Sequence, residues 1–150
     1  MRWITITISD LEDVKTAKLL TPLRTKALGD GQDDPVPEIM ASVTTRIRAE
    51  IAGCSRNQLD ADETKIPASL KLLACRLVIA AASNRLGISL NDDERAQLRS
   101  DERYLERIAA CAVPVEDPDN AMTAPVQQSG GINLVSSRPK KHTGSQLSGL

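Results

Sequence analysis

The chain has 150 residues, 41% of them hydrophobic, which is enough for one ordinary core, since a domain usually takes roughly 100 to 200 residues. With no Phe, one Trp and one Tyr, that core must be filled by Leu, Ile, Val and Ala, side chains suited to closely packed helices. The net charge is -1, and Arg138, Lys140 and Lys141 add +3 after residue 120, so residues 1–120 carry -1 - 3 = -4; such an acidic body argues against a domain that holds nucleic acid by neutralising phosphates.

Residues 3–8, Trp-Ile-Thr-Ile-Thr-Ile, alternate with period two and predict a short half-buried strand. The chain offers no obvious second strand, so Trp3, Ile4, Ile6 and Ile8 are expected to add to the sheet of a partner or of a neighbouring copy. Ser9 with Glu12 three residues on has the spacing of a capping box and predicts a helix to about Leu20. Thr21-Pro22 can begin a further short turn, ended by Gly29-Asp30-Gly31.

A second helix is predicted from Pro35 or Pro37, capped by Asp33 or Asp34, to Ile51 or Ala52. Its apolar positions Val36, Ile39, Met40, Val43, Ile47 and Ile51 form one stripe, with Arg46, Arg48 and Glu50 off it. The connection from Ser55 to Lys65 is rich in Asp, Asn and Glu and reads as solvated. Ile66-Pro67 then opens the most hydrophobic helix, which reaches Leu86 and stops at Gly87.

From Leu70 to Ala82 only Lys71 and Arg76 interrupt that run, which is too short to cross a bilayer and predicts the central helix of a bundle. Arg76 is a candidate buried charge: it either finds an acidic or carbonyl partner, within the bundle or across a subunit boundary, or snorkels to solvent. Asn91 with Glu94 forms another capping box, opening a helix from Asp92 to about Ala112 with Leu98, Leu105, Ile108 and Ala112 on one face and a strongly charged outer face. Asp92, Asp93 and Glu94 fall in its first turn, where acids favour the positive end of the macrodipole.

Beyond Pro118 the composition turns to Gly, Ser, Gln and Pro with scattered apolar residues. The expected organisation is therefore a helical domain over residues 1–118 and an extended arm over 119–150. Val126, Ile132, Leu134 and Val135, with Leu147, are too scattered to make a core but could fill pockets on a partner, while Arg138, Lys140 and Lys141 meet an acidic protein surface. Gly130-Gly131 would let the arm bend.

Chemistry is sparse. The one histidine, His142, lies in the arm, and no GxxxxGK[ST] loop occurs, so neither catalysis nor a cofactor is expected. Cys54, Cys75 and Cys111, an odd number at spacings of 21 and 36 residues, fit neither a disulfide framework nor a zinc site and read as buried reduced thiols. The opening residues MRWITITISD lack the apolar stretch of a secretory signal, so maturation in the cytoplasm is expected.

The order of segments from residue 4 to residue 113 resembles the adaptor family of phage head-tail connectors, including Mu-like prophage and siphophage adaptors. The resemblance rests on ISDLEDVKTAKLL, then the amphipathic EIMASVTTRIRAEIAG and a polar loop, then the Pro-initiated IPASLKLLACRLVIAAASNRLG and a closing DDERAQLRSDERYLERIAACAV with Tyr104, Leu105 and Ile108. The chain departs from the family at Asn84-Arg85-Leu86, where aromatics are common, and in its long arm.

The resemblance implies an all-α fold, a small bundle of about four helices with a short N-terminal strand and a long C-terminal arm. It also implies a homo-oligomeric ring, usually of twelve, seated beneath the portal protein in the virion and offering a surface to a neck, stopper or tail-terminator protein. DNA would pass through the ring without specific binding, and no membrane is involved. The alternative is a helix-turn-helix DNA-binding regulator that uses Arg46 and Arg48 on an exposed face.

Overall fold

A computed structural model of the chain describes residues 2–14, 20–21, 24, 33–85 and 87–122. Its elements are β1 (Trp3–Thr5), α1 (Ile8–Val14), α2 (Val36–Gly53), β2 (Lys65–Pro67), a single 3-10 turn (Ala68–Leu70), α3 (Lys71–Arg85) and α4 (Asp92–Ala109). The expected turn at Pro22, the Gly29-Asp30-Gly31 stop, Leu86, and the arm with Val126, Ile132, Leu134, Val135, Arg138, Lys140 and Lys141 lie outside the described residues. So does His142.

The described fold is mostly helical, but it is not purely so. β1 and β2 form a two-stranded antiparallel sheet in which Trp3 faces Pro67, Ile4 faces Ile66 and Thr5 faces Lys65. This corrects two expectations: the N-terminal strand pairs within its own chain, and Ile66-Pro67 closes a strand rather than opening the central helix. Proline removes a backbone donor, which the last residue of a two-stranded edge can lose without breaking the ladder. The next amide, of Ala68, donates to Arg2 O at 2.8 Å and continues the pairing.

The helix starts follow from local hydrogen bonding. α1 begins one residue ahead of the expected Ser9 cap, because Thr7 and Asp10 answer each other: the Thr7 amide donates to Asp10 Oδ2 at 2.7 Å and the Asp10 amide lies 3.4 Å from Thr7 Oγ1. At α2, Asp34 accepts from the Val36 amide at 3.0 Å, and Pro37 needs no donor in the first turn. At α4 the capping box is complete, with the Glu94 amide donating to Asn91 at 2.7 Å and the Asn91 amide to Glu94 at 3.0 Å. Gly87, at φ +66°, turns the chain out of α3 in a conformation that a side chain would strain.

α3 runs through the middle, with Leu73, Cys75, Leu77, Val78 and Ile79 buried and Ala74, Ala82 and Ser83 small enough for neighbours to approach closely. α1 and α4 pack against it, and α2 lies against both α3 and α4. Val36, Val43, Ile47 and Ile51 bring the α2 stripe into this core, and Leu105 and Ile108 bring the inner face of α4. α4 stops at Ala109, short of the expected Ala112, which is exposed. Where α2 and α4 end side by side, a Cβ on Gly53 would stand 3.3 Å from the Ala109 side chain, so the glycine permits the close approach.

Two of the three cysteines also depart from expectation. Cys54, just past α2, and Cys111, just past α4, are joined by a disulfide across a sequence separation of 57, while Cys75 is a free thiol buried in α3. Burial pushes the Cys75 thiol up to about 11, so it is an inert packing group at neutral pH.

Candidate functional site

A buried polar centre is built around Arg48. Expected off the apolar stripe of α2, this residue is 7% exposed, because the segment before β2 folds over that flank of the helix. Its guanidinium donates to three carbonyl oxygens, Asp60 O at 2.8 Å, Asp62 O at 3.0 Å and Lys65 O at 2.8 Å, and lies 5.7 Å from the centroid of the Trp3 ring. A guanidinium presents its donors as a fixed planar fork, so one side chain can hold three successive turns of backbone. The Ser55–Lys65 connection is therefore an ordered loop, with Asp60 fully buried.

The residues after α4 lie back over the same place. Val113 and Val115 pack on the core, the Trp3 indole donates to Glu116 O at 2.9 Å, and the Arg2 amide donates to Asp119 at 2.9 Å. The Ala61 amide donates to Asn120 O at 2.7 Å and the Met122 amide to Leu59 O at 2.7 Å. Residues 119–122, expected at the start of a free arm, are thus part of the folded body. Asp119 is held below the usual carboxylate range by the Arg2 amide, which outweighs the opposing effect of desolvation, with help from the N-terminal amine.

Trp3 is fully buried and Ile6 nearly so, whereas Ile4 and Ile8 are only half-buried. The four side chains assigned to a partner's sheet are thus split, with two committed to the core of their own chain.

Arg76 forms a second polar centre. It makes a two-pronged bond to Asp101 of α4, Nε to Oδ2 and Nη2 to Oδ1, each at 2.6 Å, and Gln97 Nε2 donates to Asp101 at 3.1 Å. Asp101 is 4% exposed, so the pair links α3 to α4 with its carboxylate in the interior and its guanidinium at the rim. Beside it is an open cleft of about 390 Å³ with an apolar floor of Val14, Ile79 and Leu98 and a rim that includes Asp93. On the far flank, Lys71 pairs with Asp10 and fastens α1 to α3.

Among the described residues no group of three His, Cys, Asp or Glu side chains could hold a metal, and no helix is long and apolar enough to cross a membrane. Comparison of the chain with known protein families, curated proteins and solved structures returns no match.

Proposed function

We propose that the chain is a structural adaptor of a tailed-phage head-tail connector, working in the virion as one copy of a ring, usually of twelve, beneath the portal protein. The ring would extend the DNA channel and present a surface to a neck, stopper or tail-terminator protein. The observation that carries this reading is how the ends of the body are fastened. Arg2, Trp3 and the segment from Glu116 to Met122 are bonded together around the Asp60 loop. The described body thus carries both its N-terminal strand and its last residues, to Met122, on one face, which is what an assembly built on terminal segments would use.

In this role the arm engages portal or the adjacent copy through Val126, Ile132, Leu134 and Val135, with Arg138, Lys140 and Lys141 on acidic surface. Ordering such a segment costs several kcal/mol, about 2 to 5 for coupled folding and binding, and a ring offsets that by holding many binding partners at high local concentration. A chain ending at Met122 keeps every bond described above. It is expected to fold normally and fail to join portal; complete, DNA-retaining necks built from it would refute the arm's role.

Of the two arginines on which the helix-turn-helix alternative rests, Arg48 is buried against carbonyls, while Arg46 stays half exposed, 3.6 Å from Glu102. A gel-shift titration over a range of salt tests it directly, because phosphate neutralisation gives a steep salt dependence.

A further inference from the structure

Arg95, Arg99, Arg103 and Arg107 recur every four residues along α4, and all four are exposed. At 1.5 Å per residue, successive arginines start about 6 Å apart along the axis and the row spans about 18 Å. It lies opposite the buried Asp101, Leu105 and Ile108, with the short side chains of Ala96 and Ser100 along one side and the acids Asp92, Glu102 and Glu106 interspersed on the same face. Arg95 donates to Leu90 O at 2.9 Å and stands 3.7 Å from Asp92. Among the described residues the side chains of Arg99, Arg103 and Arg107 make neither an ion pair nor a hydrogen bond. Like charges at i and i+4 weaken a helix, and although Glu102 and Glu106 stand three residues on from Arg99 and Arg103 and temper that cost, no ion pair joins them among the described residues, so the three guanidiniums remain open to a further anion.

We propose that this arginine row docks a second copy of the chain, against the acidic surface around that copy's sheet. The inference rests on the ring reading above and names one of its contacts. The acids stand at the two ends of the sheet, Asp62 and Glu63 beyond the Thr5–Lys65 pair and Glu116 and Asp117, in the segment that follows α4, beside the Trp3–Pro67 pair; all four are exposed. Glu63 and Asp117 make no bond among the described residues, and of the nearby cations Lys65 is already taken by Asp62 at 3.7 Å.

α4 packs on α2 and α3, while the sheet packs on α2, so the two charged surfaces belong to different parts of the body. A contact between unlike patches of identical subunits runs head to tail and closes into a ring when the rotation permits. A second copy fits better than nucleic acid, because residues 1–120 carry -4 in sum and repel a polyanion as a whole, while the chain itself offers the complementary acids.

The test uses the full-length chain, with its association followed by sedimentation velocity in 50 and 500 mM salt, in three variants: Arg99→Glu with Arg103→Glu, Glu63→Arg with Asp117→Arg, and all four together. Both pairs are surface changes, and unaltered far-UV circular dichroism confirms folding. Raised salt and each pair alone should weaken association on the order of tenfold or more, and the fourfold variant should recover most of the loss. Rings that form equally well in either pair variant would overturn this contact and leave the ring reading standing. A wild-type chain that stays monomeric and never joins portal would overturn both. Retardation of duplex DNA that disappears with Arg99→Glu and Arg103→Glu would assign the row to nucleic acid and overturn the second copy as its occupant.

Discussion

Replacing Arg48 with Met gives the sharpest test of how the body holds its ends. The side chain makes three charge-assisted bonds to carbonyls, and Asp60 O is buried with it. Each bond to a charged donor is worth about 1.5 to 3 kcal/mol net, but the variant no longer desolvates a guanidinium and methionine keeps much of the packing. The balance is a loss of about 3 to 5 kcal/mol, a large share of the roughly 5 to 15 kcal/mol that stabilises an ordinary domain. Urea unfolding followed by circular dichroism and by Trp3 fluorescence should show a lower midpoint with both probes, since the guanidinium lies over that ring. Arg48→Lys should recover little, because an ammonium lacks the planar fork that spans three carbonyls. A loss below about 1 kcal/mol would refute the claim that these bonds hold the loop.

Arg76→Met strands the Asp101 carboxylate in the interior and should cost about 3 to 5 kcal/mol in the same unfolding assay, with much of the loss recovered when Asp101→Leu is added; an unchanged single variant would show that the pair contributes nothing. Reducing the Cys54–Cys111 disulfide opens a loop of separation 57, for which chain entropy gives a loss of about 4 kcal/mol, measured as the difference between reduced and oxidised unfolding midpoints. Deleting residues 2–8 removes the buried Trp3 and Ile6 and should unfold the monomer, which a loss of helical circular dichroism would report; a folded truncated chain would return the strand to a purely intersubunit role. For Asp10, burial acts to raise the carboxyl, but bonds from Lys71 and Thr7 prevail and hold it below its ordinary 3.8. Its contribution is therefore present above that value and fades as pH falls through the lower folded value, so Asp10→Asn should flatten that part of the acid unfolding curve.

Features that depend on near neighbours are legible along the chain. The apolar stripe of α2, the nearly continuous apolar run that puts α3 in the centre, and the Asn91–Glu94 cap of α4 are set by residues three or four apart, and the helices follow from them. The oddity of Arg76 was legible in the same way, although Asp101, 25 residues on, was not. Which distant segments meet is visible only in the folded chain. Trp3 finds Pro67 across the chain, Cys54 finds Cys111, and the Asp60 loop closes over Arg48, turning a residue off the apolar stripe into a buried one. The arginine row of α4 shows both sides: its four-residue spacing and the acids three residues on are local, but Glu102 meets Arg46 only because α2 packs against α4. Helical periodicity fixes which residues share a face, whereas pairing across tens of residues depends on loop closure and on the shape of the whole core, which no local pattern records.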